Sequence, residues 1–347
     1  MLSLLLVPGC VERPSSPPTA SRASVTLRVL VVNEPALAEA INRLRGEWAE
    51  RSGGELIAQA TTWKERAKKK QIDADLIVFP SRYLGELCVC DQLRPVRSGV
   101  LEDDDFNSAD LFPLVRNELM KWGGQTMALP LGIDPTAIDP PASPPQATSL
   151  LTAAAPRAIS NERLGVLFDT ETMKPRITEP PFVDALTRGL VPLSAVIPVL
   201  GNNDRLIAVT ASSHNAASAF KLLQWLAQAD TSSQLARVGR GLLPPRRSLI
   251  SSADWYDVSL SANDRSARGT ALDAALSGQQ CLLIPRIPGI DDYLAALEDA
   301  VKAAVVDKTS PATALQTAAD RWEKITDSHG RDAQRRAYLK HLGISDK

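Results

Sequence analysis

Histidine is nearly absent from this chain, with three residues among 347. His214 falls in a polar turn, and His329 and His341 lie in the polar C-terminal stretch. No G-x-S-x-G elbow, phosphate-cradling glycine loop or H-E-x-x-H occurs. Carboxylates are plentiful, but no spacing among them marks an acid and a base. The expectation is a protein that is not an enzyme and needs no cofactor. Cysteine is also scarce, with four residues. Neither Cys88 nor Cys90 has a second pair or a histidine nearby, so no metal site is expected. On a strand those two would point to the same side, a poor geometry for bridging each other. One could pair with Cys281 in an oxidising compartment, or all could be buried thiols. No apolar run approaches the roughly 20 residues that span a bilayer as a helix. Charge is nearly balanced, with a formal net of −1. Nothing electrostatic therefore points to nucleic acid or an anionic membrane as partner. The densest basic run, Lys64 to Lys70, reads as a solvated helix face.

What is present suits a globular α/β protein long enough for two lobes. Val25 to Val32 is rich in β-branched residues and reads as a strand. Pro35 suits the first turn of a helix, in which Leu37, Ile41, Leu44 and Trp48 recur at helical spacing until Gly53-Gly54. A weaker strand from Glu55, a charged helix from Trp63 and the apolar run Ala74 to Pro80 follow. Alternation of this kind predicts a parallel sheet with helices on its faces. Ligands of such sheets bind beyond the carboxyl ends of the strands, here Asn33-Glu34, Thr61-Thr62-Trp63 and Pro80-Ser81-Arg82-Tyr83. Later in the chain, Pro198 to Asp204 forms a turn into the strand Leu206 to Val209. A helix follows that places Phe220, Leu223 and Leu226 on one face, with Asn215 as its N-cap. Glu102 to Asn107 alternates oxygen donors but lacks the Gly and Glu of a calcium loop, so an acidic turn is expected. Pro-rich residues 133–145 carry no helical or strand period.

Several segments, in order, resemble the sugar-type family 1 of extracellular solute-binding proteins that serve ABC importers. They are Ala74 to Ser81, Gln92-Leu93-Arg94-Pro95, Trp122 to Gly132, Pro175 to Leu186, the Pro198 to Trp225 unit, Pro244 to Ser248, Ile284 to Tyr293, and Ser310 to Ile325. The resemblance implies a two-lobed periplasmic-binding-protein-like (type II) α/β fold with interrupted connectivity. Lobe 1 would comprise 25–130 plus 204–280, and lobe 2 would comprise 131–203 plus 281–347. The aromatic segments that normally open the second lobe are replaced by the proline-rich stretch, so lobe 2 is expected to be reduced. Cleft residues implied are Glu34, Trp63, Ser81, Arg82, Asp134, Asn203, Arg246 and Tyr293, with Trp255 as a sugar-stacking partner for Arg246. Val7-Pro8-Gly9-Cys10, after a short apolar run, is similar to a bacterial lipobox. Residues 1–24 would then be a lipoprotein signal and tether, with lipidated Cys10 anchoring the protein on the periplasmic side of a membrane. The function implied is binding a carbohydrate for importer permease subunits. A scaffold that no longer binds solute and acts as a surface or periplasmic interaction protein is the rival.

Overall fold

The run Leu76-Ile77-Val78-Phe79-Pro80 is buried along its whole length, as a strand covered on both faces must be. In the computed structural model, which describes residues 24–138, 144–159, 165–191, 197–236, 238, 242–252, 255 and 260–344, it is the centre of a five-stranded sheet. The chain reaches it through β1 (Thr26–Val32), α1 (Pro35–Arg43), α2 (Arg45–Ser52), β2 (Glu55–Thr61) and α3 (Trp63–Ala67), and the central strand is β3 (Leu76–Pro80). β1 pairs in parallel with both β2 and β3. The helix expected between Pro35 and Gly53 is broken at Leu44, whose N–H turns back to the Ile41 carbonyl. After β3 come α4 (Leu84–Val89), α5 (Ser98–Leu101), the hairpin β4 (Lys121–Trp122) and β5 (Gln125–Thr126), and β6 (Leu129–Gly132).

The chain then enters a mainly helical half through α6 (Ala147–Ile159) and α7 (Pro180–Thr187), followed by β7 (Val199–Leu200). It returns to the sheet as β8 (Arg205–Val209), with α8 (Ala216–Leu226), α9 (Ala229–Ala236) and α10 (Ala262–Leu276) behind it. Finally β9 (Leu282–Leu283), α11 (Ile290–Val305), α12 (Pro311–Ser328) and α13 (Arg331–His341) complete the helical half. Sheet order is β2-β1-β3-β8-β6. β1, β2 and β3 pair in parallel as their alternation with helices predicts, whereas β8 runs antiparallel to β3 and β6 antiparallel to β8, so the sheet as a whole is mixed. The reason is connectivity: β8 arrives from the other half rather than through a helical crossover. In the helical half, β7 and β9 form a parallel pair two residues long.

Local signals explain some helix ends. Ser310 caps α12 by accepting from the Thr313 N–H, with Pro311 at its first turn. Asn215 does not cap α8 with its side chain; Ser213 Oγ instead accepts from the Asn215 N–H. Asp103 Oδ1 accepts from the N–H groups of Asp105 and Phe106, the acidic turn anticipated there. Cys88 and Cys90 lie at the end of α4 rather than on a strand, and Cys88, Cys90 and Cys281 are all free thiols. Burial pushes the Cys88 and Cys281 thiols up to about 12, which keeps them protonated and unreactive. Cys10 and its tether, residues 139–143, Leu164, residues 239–241, Asp254 and Tyr256 lie outside the described residues.

One face of the sheet buries Val29, Val31, Leu37, Ile41 and Trp48 with Phe220 and Leu223. The other belongs to a continuous core that joins Phe79, Tyr83 and Leu84 to Leu150, Tyr293, Leu315 and Trp322 of the helical half. The halves approach closely at Gly85, where a Cβ would stand 1.5 Å from the Arg286 carbonyl oxygen. Arg286 itself is buried and donates to the carbonyls of Leu119 at 2.7 Å and Lys121 at 2.9 Å. Its Nε and backbone N–H both face His341 Nδ1, each at 3.4 Å. Burial first, and the Arg286 cation second, hold the His341 imidazole well below its ordinary pKa. An unfolded chain takes up this proton near pH 6.5 whereas the folded one refuses it. This contribution to stability is therefore present above pH 6.5 and lost as pH falls. Urea unfolding at pH 8 and pH 5 checks it: the stability gap between wild type and His341→Asn should shrink at the lower pH.

Candidate functional site

Asn33, at the carboxyl end of β1, adopts a positive φ of 61°. Its N–H donates to the Thr61 carbonyl and its Oδ1 accepts from the Trp63 N–H at 2.9 Å, which sets the ends of β1 and β2 side by side. Trp63, half-buried, stacks on Tyr83 with ring centroids 3.8 Å apart and planes 6° apart. Tyr83 belongs to the turn Ser81–Tyr83 that leaves β3. The strand ends thus carry an aromatic platform.

Polar groups gather beside it. Arg82 donates through Nε to Asp291 Oδ1 at 2.8 Å, and the Tyr83 hydroxyl donates to Asp291 Oδ2 at 2.7 Å. Arg82 also bonds Asn203 Oδ1 and the Tyr83 hydroxyl, and its guanidinium lies 4.7 Å from the Tyr83 ring centre. Asp291 is in the first turn of α11, so this cluster ties the sheet half to the helical half. Burial raises the Tyr83 hydroxyl to about 12, leaving it a neutral donor.

Beneath the cluster sits Asp204, wholly buried. Its carboxylate accepts from Ser81 Oγ at 2.8 Å, the Gly201 N–H at 2.8 Å and the Asp134 N–H at 3.0 Å. Burial, followed by the Asp134 carboxylate, pushes the Asp204 carboxyl up to about 6. Asp134 caps the short turn Pro135–Ala137 by accepting from the Thr136 N–H. Glu34 pairs with Arg205 of β8, and Arg205 also reaches the Val238 carbonyl at 3.3 Å.

The eight residues expected in the cleft therefore divide. Arg82 and Asn203 meet at the junction of the halves, Trp63 stacks beside them on Tyr83, Ser81 and Asp134 are held by Asp204, and Glu34 is held by Arg205. Arg246 and Tyr293 are corrections. Arg246 is buried inside the sheet half, donating to the Asn107 and Ala227 carbonyls, with Asp110 at 3.7 Å and Phe106 under its guanidinium. It is a strut between loops. Tyr293 is buried in the helical half against Phe168 and Trp322, its hydroxyl bonded to Thr326 Oγ1 at 2.9 Å. Trp255 is likewise buried, donating to Ser233 Oγ at 3.0 Å, and cannot offer a face to a sugar beside Arg246. Sequence reasoning named Tyr83 only as part of the segment leaving β3, and missed Asp204, Arg205 and Asp291 as members of this site. A charged residue opening the apolar run Arg205 to Val209 was the available signal for Arg205.

No family model matches the chain, and no curated protein sequence matches it. Solved structures do. The sugar-binding protein MalE from Xanthomonas citri is 15% identical, with a TM-score of 0.66, covering 88% of this chain and 98% of its own. An ABC transporter solute-binding protein from Agrobacterium radiobacter K84, in complex with ribitol, is 14% identical over 87% of this chain and 98% of its own, with a TM-score of 0.56. A cyclo/maltodextrin-binding protein complexed with maltotetraose is 16% identical over 89% of this chain and 99% of its own, with a TM-score of 0.57. The fold is the two-lobed periplasmic-binding-protein fold of MalE-like proteins. Those neighbours are binding proteins. No helix among the described residues is long and apolar enough to cross a membrane.

Proposed function

We propose that the protein is the solute-binding component of an ABC importer and takes a sugar or polyol between its lobes, without catalysing a reaction. One observation carries the reading: the Trp63–Tyr83 stack stands at the strand ends with Arg82 and Asn203 beside it. The half-buried edge of Trp63, a guanidinium and an amide side by side suit a saccharide, whose hydroxyls Arg82 and Asn203 would take up. Lobe 1 is 25–130 plus 204–280 and lobe 2 is 131–203 plus 281–347, with the chain crossing near Asp134 and Asp204. Lipidated Cys10 holds the protein at a periplasmic membrane face, where permease subunits receive the closed form. Neither nucleic acid nor a metal has a part in this.

The rival reading, a scaffold that has given up solute for a protein partner, is favoured by Asp291. Its carboxylate already occupies Arg82 and Tyr83. Thermal unfolding of the mature chain against maltose, maltotetraose, ribitol and mannitol separates the two. A ligand at a hundredfold excess over Kd stabilises the folded state by about 2.7 kcal/mol. A rise in Tm with one sugar class that disappears in Arg82→Ala supports transport binding. No rise with any of them, from a cooperatively unfolding protein, moves the assignment to the rival.

A further inference from the structure

The basic run after Trp63 does more than coat a helix. α3 ends at Ala67, and Lys69 and Lys70 continue around a cavity of about 290 Å³ that is also lined by Trp63, Arg66, Glu86 and Gln92. Arg66 is 5% exposed. Its Nη1 donates to the Lys69 carbonyl at 3.1 Å, but its Nε is buried with no partner. Gln92 spends its amide N–H on the Lys70 carbonyl at 2.7 Å, and its Oε1 is buried with no partner. Two side chains that line one cavity thus carry, behind its wall, an unmatched cationic donor and an unmatched acceptor, each costly to leave unsatisfied. Lys68 is tied to Glu65 at 2.7 Å, whereas Lys69 and Lys70 are in no ion pair among the described residues. Glu86 is the one carboxylate of the lining, against the cations of Arg66, Lys68, Lys69 and Lys70.

An anion offsets that excess, and charge-assisted bonds to a guanidinium and two ammonium groups favour a compact oxyanion such as phosphate. The Gln92 acceptor calls for a hydroxyl on the same molecule. Trp63 forms the wall between this cavity and the interlobe cluster: one ring face stacks on Tyr83, and the Arg66 guanidinium lies 5.9 Å from the ring centre. We propose that the cavity between α3 and α4 is a second ligand site, separate from the interlobe cleft, for a phosphate group carried on a small hydroxylated molecule.

The test is calorimetric titration of the mature chain, at fixed ionic strength, with glucose 6-phosphate, inorganic phosphate, sulfate and glucose. Glucose 6-phosphate should bind at least tenfold more tightly than inorganic phosphate or sulfate, and glucose should give no heat at this site. Arg66→Gln should weaken the ester at least tenfold. The pair Lys69→Glu and Lys70→Glu, on exposed positions where substitutions cost little stability, should do the same should Arg66→Gln fail to fold. Binding undiminished by the lysine pair, equal affinity for sulfate or inorganic phosphate, or no heat at millimolar ester would each overturn the proposal.

Discussion

Arg286→Ala should lower the free energy of unfolding by about 4 kcal/mol. The truncation leaves the buried Leu119 carbonyl and the part-buried Lys121 carbonyl without these donors, and a buried orphan costs about 1–3 kcal/mol. It also opens a cavity where the side chain had filled the seam of the two halves. No carboxylate lies within ion-pair distance of Arg286 among the described residues, and burial pulls its pKa down to about 10. The residue therefore acts through hydrogen bonds to main-chain oxygens, not through a salt bridge. Lysine at this position keeps the charge but reaches one carbonyl at a time, so Arg286→Lys should recover less than half of the loss. Urea denaturation of the three proteins at pH 8 checks the order. Equal midpoints for wild type and Arg286→Ala would remove Arg286 from the account of how the halves are joined.

Asp204→Ala is expected to cost about 3 kcal/mol. Three donors converge on this carboxylate from separate parts of the chain: Ser81 after β3, Asp134 after β6, and Gly201 in the turn before β8. Removing the acceptor strands two buried backbone N–H groups and one hydroxyl at the crossing between the lobes. Part of the loss is returned because a carboxyl whose pKa burial has raised to about 6 is itself unfavourable when charged. Its pH signature has the opposite sign to that of His341. The raised carboxyl contributes stability that is full below its unfolded pKa of about 3.9 and lost as pH rises through 6. Equilibrium unfolding of wild type and Asp204→Ala should therefore show a larger difference at pH 4.5 than at pH 7.5, provided both remain two-state. A difference independent of pH would mean that Asp204 is ionised throughout.

Much of this was legible in the residues, because local pattern determines local structure. The β-branched run of β1, the wholly apolar β3 and the capped start of α12 at Ser310-Pro311 form where their sequences place them. That the segments leaving β1, β2 and β3 come together was legible too, since parallel strands in one sheet carry their carboxyl ends to the same edge. What could not be read was the choice of partner. Arg82 meets an aspartate 209 residues away, and Glu34 meets an arginine 171 residues away. Nothing in either neighbourhood specifies those pairings. Arg246 shows the converse: an arginine in a proline-bounded loop looks the same in sequence whether it faces a cleft or caps two internal carbonyls. Tyr293 carried its own warning, since Leu297 and Val301 follow it at helical spacing and place it on the apolar face of α11.

The measurement closest to the central claim is calorimetric titration of maltose, maltotetraose, ribitol and mannitol into wild type and Asp291→Asn. A solute that enters between the lobes must take Arg82 and Tyr83 from Asp291, a partly exposed ion pair worth up to about 1 kcal/mol. The account predicts that one sugar class binds wild type, that Asp291→Asn binds it about fivefold more tightly, and that Arg82→Ala does not bind it. Saturable binding that neither substitution changes would contradict the placement of the site, and no heat from any of the four would contradict solute binding itself.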